Sequence, residues 1–277
     1  MPDGLAAVER RDPEFVVFGE LHGTQEAPQF VGEIVCALAG TGERVLLAIE
    51  HSASDNPTLQ KAWSATGQEF GPMLLEAGWQ GREDGVASEA MYSMMLRAHR
   101  LKEEGAAIEV VAFNGFSSEA QRERFAHLDG QGRSEAAEAE TVALAASKGG
   151  FDRVLILVGS LHARKDRVKA GGASFEAMAK RLERFGETVS LRMRHAAGTS
   201  WNCVLRPDFD HSAGRAVGPE DIDCDIHPTG GDADLERSPY IDLTPFTAEQ
   251  SGGSFDGFFW VGPVSGSPPA APAGEPQ

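Results

Sequence analysis

The 277-residue sequence has little cysteine, basic charge or long apolar stretch. Its three cysteines, Cys36, Cys203 and Cys224, make neither a disulfide framework nor a cysteine-based zinc site. Cys203 and Cys224 are one candidate pair, which would require export because cytosolic thiols stay reduced. Lys plus Arg number 25 against 42 Asp plus Glu, a net charge of −17. Such a chain repels phosphate backbones, so nucleic acid is excluded as a general partner. It offers no basic face to anionic lipid. The longest apolar runs are about five residues, as in Val154 to Val158, so no transmembrane segment is expected. Residues 1–11 hold no apolar signal core, which predicts a cytoplasmic protein, or a periplasmic or secreted one whose signal peptide has been removed. Several motifs are missing as well: the phosphate loop and Gly-x-Gly-x-x-Gly, the Gly-x-Ser-x-Gly nucleophile elbow, and a His-Glu-x-x-His helix.

What is present is enough to build a core: 41% hydrophobic and 24% charged residues. Short apolar runs alternate with helical stretches. Strands are predicted at Phe15–Phe18, Val45–Ile49, Ile108–Phe113 and Val154–Val158. Helices are predicted over Pro28 to Leu38, Ser88 to Glu104, Ser134 to Ser147 and Phe175 to Phe185. Strands apolar on both faces and alternating with helices imply an α/β fold, a mostly parallel sheet flanked by helices. Beyond Thr188 the pattern turns to β segments at Thr188–Met193, Ser200–Leu205 and Phe258–Val261, a β-rich C-terminal extension. From Arg206 onward there are 13 acids and 3 bases. We therefore expect an α/β core over residues 1–205, an acidic β/loop extension over 206–261, and a disordered Pro/Gly/Ser/Ala-rich tail over 262–277.

Open α/β sheets bind ligands beyond the carboxyl ends of their strands. The first strand ends in Gly19-Glu20-Leu21-His22-Gly23-Thr24 and the second in Glu50-His51. The third ends in Asn114-Gly115 and the fourth in Gly159-Ser160-Leu161-His162. Each His follows three residues after a Gly that closes a strand. Taken singly, these residues read equally well as strand-end caps and solvated carboxylates. Taken together, His22, Glu50 and His162 read as a site, because imidazole titrates near neutral pH and can act as base, proton shuttle or metal ligand.

Other residues carry less. His51 adjoins Glu50 and points the opposite way along a strand. His99, His127 and His195 are expected on the surface or in packing, and Ser88 as a helix N-cap. Asp221, Asp223, Asp225 and Asp232 have calcium-loop spacing, but Ile226 stands where the turn needs Gly, so an acidic surface loop is expected.

On Gly19-Glu20-Leu21-His22-Gly23-Thr24, Glu50 and Gly159-x-x-His162, over roughly residues 14–195, the chain resembles the erythromycin-esterase/ChaN/Tiki-like superfamily of Gly-Glu-x-His α/β proteins. Its members include esterases that open macrolide lactones with a His general base. Others are Tiki-like metal-dependent peptidases or ChaN-like haem-binding proteins. The resemblance implies Glu20, His22, Glu50 and His162 as site residues, with Arg133 in Gly-Arg-Ser-Glu-Ala-Ala as a further catalytic position. It implies a hydrolase that activates water for attack on an ester, lactone or amide of a small-molecule or peptide substrate. His22 would be the general base, oriented by Glu20 or Glu50, and His162 would stabilise charge or protonate the leaving group. A divalent metal ion would take His22, Glu50 and His162 as ligands. The alternative is a haem- or metal-ion-binding protein without catalysis, using His22 or His162.

Overall fold

A computed structural model describes residues 2–170, 172–209, 215–244 and 253–271. In chain order the elements are α1 (Leu5–Glu9), β1 (Phe15–Glu20), α2 (Glu26–Gly40), β2 (Val45–Ser52), α3 (Asn56–Trp63), α4 (Phe70–Glu76), α5 (Glu89–Glu103), β3 (Ile108–Asn114), α6 (Glu119–Arg124), α7 (Gly132–Gly149) and β4 (Arg153–Gly159). They continue with β5 (Arg167–Ala170), β6 (Ala173–Glu176), α8 (Met178–Leu182), β7 (Thr188–Ala196), β8 (Gly198–Leu205), β9 (Ile222–Thr229), β10 (Tyr240–Asp242) and β11 (Gly257–Pro263).

Seven strands form one sheet in the order β10-β11-β7-β1-β4-β2-β3. All neighbours in it are parallel except the β10–β11 edge pair. The period-2 alternation of each strand feeds two cores. Val16 and Phe18 of β1, with Leu47 and Ile49 of β2, pack with α2 and α5 on one face. Phe15, Val17, Leu46 and Ala48 pack with α7 and α8 on the other. This is the α/β architecture the buried strand runs predict. Ser88 caps α5 as expected, its Oγ accepting the Met91 N–H at 3.3 Å.

The C-terminal third departs from expectation. Within the expected extension β10 and β11 do not stand apart from the core, because they complete the main sheet beside β7. Phe259 and Trp260 of β11 are fully buried. The expected disordered tail is corrected over residues 262–271, which pack on the domain. Val264 and Ser267 are buried, and the Ser267 N–H donates to the Gly23 carbonyl at 2.8 Å. Ser267 Oγ accepts the Ala90 N–H at 2.9 Å. Residues 272–277 lie outside the described residues. The helix expected over Phe175 to Phe185 is shorter, because Ala173–Glu176 pairs with Arg167–Ala170 as a hairpin and only Met178–Leu182 coils.

β8 and β9 form a separate antiparallel pair in which Cys203 faces Cys224, and the two are joined as a disulfide. The calcium-loop aspartates are dispersed. Asp221 pairs with Arg215 and Asp232 with Arg194, while Asp223 and Asp225 lie along β9. Among the described residues no helix is long and apolar enough to cross a membrane.

Candidate functional site

β4 lies between β1 and β2, so the carboxyl ends of these three strands converge. Glu20 closes β1, Glu50 sits near the end of β2, and Gly159 closes β4. The structure brings Glu20, His22, Glu50 and His162 together there. His22 Nδ1 lies 2.9 Å from Glu20 Oε1, and its Nε2 lies 3.4 Å from Glu50 Oε2. Glu50 Oε1 lies 3.5 Å from His162 Nε2. Glu50 is thus held between the two imidazoles, and its Oε2 also accepts the Gly159 N–H at 2.7 Å. Gly159 is required by close approach: a Cβ there would lie 2.7 Å from His22 Nε2. Gly23 is required by conformation, with φ of +71° and the Trp201 carbonyl against the place a Cβ would take.

Two residues of the cluster were not foreseen. Glu135 and Glu138, one turn apart on α7, are buried at 0% and 2% exposure. His162 Nδ1 lies 2.9 Å from Glu135 Oε1 and 3.5 Å from Glu138 Oε2. The outer oxygens are anchored: the Met178 N–H donates to Glu135 Oε2 at 2.7 Å and the Gly115 N–H to Glu138 Oε1 at 3.2 Å. The inward atoms are less well served. His162 Nδ1 and Glu138 Oε2 are buried and make no well-directed hydrogen bond.

Arg133, by contrast, is exposed, and its Nε donates to the Leu128 carbonyl at 2.6 Å. It makes no contact with the cluster. His51 is fully buried and stacked on Trp79 at 3.7 Å, facing away from Glu50. Burial, helped by Arg82, drops its pKa to about 3, so it stays neutral. His99 is buried and stacked on Phe70, as a packing residue should be.

Four carboxylates around two imidazoles set the electrostatics. Burial opposes a charge on His22, but the Glu20 contact and the charges of Glu50, Glu20 and Asp84 outweigh it. Its pKa is pushed up to about 9. For His162, burial is outweighed by Glu135, Glu138 and Glu50, and its pKa is pushed up to about 11. Burial raises the Glu20 carboxyl, against the opposing pull of His22. Burial likewise raises Glu138, against His162.

The expected metal ligands His22, Glu50 and His162 meet only through Glu50. Among the described residues the compact donor set is Glu135, Glu138 and His162, whose ligand atoms all lie within 4.8 Å of one another. One imidazole and two carboxylates, with His162 Nδ1 and Glu138 Oε2 making no well-directed hydrogen bond, fit a divalent cation once the imidazole is neutral.

No family model and no curated protein matches the sequence. Solved structures do match. A succinoglycan biosynthesis protein aligns at TM-score 0.65 and 10% identity, over 95% of this chain and 92% of that one. A Bacillus cereus protein aligns at TM-score 0.59 and 10% identity, over 96% and 92%. A histidine-to-asparagine mutant of erythromycin esterase EreC, in its open conformation, aligns at TM-score 0.59 and 13% identity, over 92% of both chains. The chain therefore shares the α/β fold of erythromycin esterase EreC, the architecture its Gly-Glu-Leu-His resemblance implies.

Proposed function

We propose that the chain is a hydrolase that activates water at the His22 cluster for attack on an ester, lactone or amide of a small molecule or peptide. One observation carries the reading. The His22 side chain is 29% exposed, while Glu20, 3% exposed, grips its Nδ1. A carboxylate on Nδ1 fixes the tautomer and leaves Nε2 to take a proton from water. Glu50, tied to the Gly159 N–H, holds a negative charge between the two imidazoles and steadies the imidazolium that forms. His162, protonated at neutral pH by its carboxylate neighbours, is placed to stabilise developing oxyanion charge or protonate the leaving group. The fold shared with a protein named as an esterase agrees with this reading.

A divalent cation held by Glu135, Glu138 and His162 would require a neutral His162, displacing its proton, and would replace its charge-stabilising role with Lewis acidity. The non-catalytic alternative, haem binding through His22 or His162, is disfavoured by charge. Both imidazoles face carboxylates, and haem propionates would meet four of them.

The test is a panel of esters, lactones and amides assayed with the wild type and His22→Asn. Loss of the base should lower turnover of a responsive substrate by about 10²-fold or more. Unchanged turnover in His22→Asn would remove the base assignment. An inert panel together with a Soret band on adding haem would favour the binding protein.

A further inference from the structure

A cavity of about 340 Å³ is lined by Arg167, Arg181, Arg184, His127, Gly132 and Phe175 among others. Its chemistry contrasts with the rest of a chain carrying a net charge of −17. Three guanidinium groups converge on it from β5, α8 and the turn after α8. Arg184 is paired with Glu176. Arg167 and Arg181 have no carboxylate within 4.0 Å among the described residues. Arg167 donates to the Ser174 carbonyl at 2.9 Å, and Arg181 Nε donates to the Glu176 carbonyl at 3.0 Å. The Arg181 residue is 8% exposed. Glu176 and Glu135 act on Arg181 only from beyond ion-pair distance; a buried cation lacking a carboxylate in direct contact is costly, and the cost is recovered when an anion arrives. The opposing acidic group on the rim that no cation holds is Asp129, which is exposed.

The cavity also has a fixed position relative to the reaction centre. α7 leads from the carboxyl end of β3 to the start of β4, so its first turn, with Gly132, lies at the same sheet edge as His22. α8 begins at Met178, whose N–H holds Glu135. Arg181 stands one turn further along that helix, about 5 Å of rise. Glu135, which meets His162 at 2.9 Å, also acts electrostatically on Arg181, so the two groups share one carboxylate.

We propose that this cavity is a subsite for a phosphoryl group, and that the substrate of the His22 site is a phosphorylated ester, lactone or amide. Three guanidiniums arriving from separate elements suit an anion with several oxygens pointing apart, whereas one planar carboxylate would be met by a single fork. Burial, with Arg184 and Arg167 adding to it and Glu176 and Glu135 opposing it, holds the Arg181 guanidinium below its usual range, a pressure that a bound dianion relieves. The substrate assignment rests on the hydrolase reading, but the anion site does not.

Titration calorimetry with inorganic phosphate at low salt tests the site. The wild type should bind phosphate, and added NaCl should weaken binding by screening. Arg181→Met should weaken it by about tenfold or more, the scale of one charge-assisted contact. Arg167→Gln, at an exposed position that does not endanger folding, should weaken it several-fold, while His22→Asn leaves it unchanged. Wild-type affinity no better than that of Arg167→Gln and Arg181→Met would overturn the site. The substrate arm compares one ester with and without a phosphate group. Arg167→Gln should raise KM for the phosphorylated ester alone and leave kcat intact. Equal KM values for both esters in the wild type would overturn the substrate assignment. Phosphate binding with neither ester turned over would end the hydrolase reading while leaving the anion site standing.

Discussion

His22 Nδ1 lies 2.9 Å from Glu20 Oε1, two residues earlier in the chain. The carboxylate both orients the ring and raises its pKa to about 9, with Glu50 and Asp84 adding to the effect. A general base works only when deprotonated. We therefore expect kcat/KM to rise with pH and level off above about pH 9, measured as a rate profile on a responsive ester. Glu20→Gln should move that limb to lower pH. A profile flat from pH 6 to 10 would contradict the assignment. Stability should run the other way. The folded pKa of His22 exceeds the ordinary imidazole value of 6.5, so its ion pair contributes fully below about pH 6.5 and is lost as pH rises through 9. The melting temperature should fall across that window, and less so in His22→Asn.

Gly159→Ala tests the geometry of the pair without removing either partner. The new Cβ would sit 2.7 Å from His22 Nε2 and 3.6 Å from Glu50 Oε2. The φ of Gly159 is not positive, so Ala fits the backbone. The methyl must push the imidazole away from Glu50, and a displacement near 1 Å can cost about 10²-fold. Turnover should drop by about tenfold or more, with a melting temperature close to wild type. Full activity would mean that His22 does not work from this position.

The strand ends were legible for a physical reason. Runs such as Phe15–Phe18 and Val154–Val158 can only be buried on both faces, so the polar residues that follow them fall on one edge. Glu20, His22, Glu50 and His162 could be placed from that alone. Glu135 and Glu138 could not. An Ala/Glu-rich helix reads as solvated, and only the docking of α7 against β3 and α8 buries one of its faces. The available signal was their i, i+3 spacing between alanines, which puts both carboxylates on one small-residue face. Composition misled at residues 262–271. Proline and alanine argue for disorder only when no partner waits, and here the Gly23 carbonyl and the Ala90 N–H are partners.

The Cys203–Cys224 disulfide links facing residues of β8 and β9, 21 positions apart. A loop of that length corresponds to about 3 kcal/mol of stabilisation. Dithiothreitol should lower the melting temperature by several degrees. Thiol counting of the denatured, unreduced protein should find one free thiol, Cys36. Three free thiols would show the bond unformed.

Truncation after Gly262 reaches the site through the backbone. Val264 is 4% exposed, and its burial corresponds to about 1.5–3 kcal/mol. The Val264 carbonyl also accepts the Thr199 N–H at 2.9 Å, so β8 loses an anchor with it. Ser265 accepts the Gln25 N–H at 2.9 Å, and the Ser267 N–H donates to the Gly23 carbonyl at 2.8 Å. These two bonds bracket the turn immediately after His22. Removing them should lower the melting temperature by more than about 5 °C, given the area lost. It should also loosen the ring that Glu20 holds, so turnover should fall even at temperatures where the truncated protein is fully folded. Circular dichroism melts and assays at 15 °C separate the two effects. If truncation leaves both the melting temperature and turnover unchanged, residues 263–271 do not brace the His22 turn. If stability falls but turnover per folded molecule does not, the segment supports the fold and Glu20 alone fixes His22.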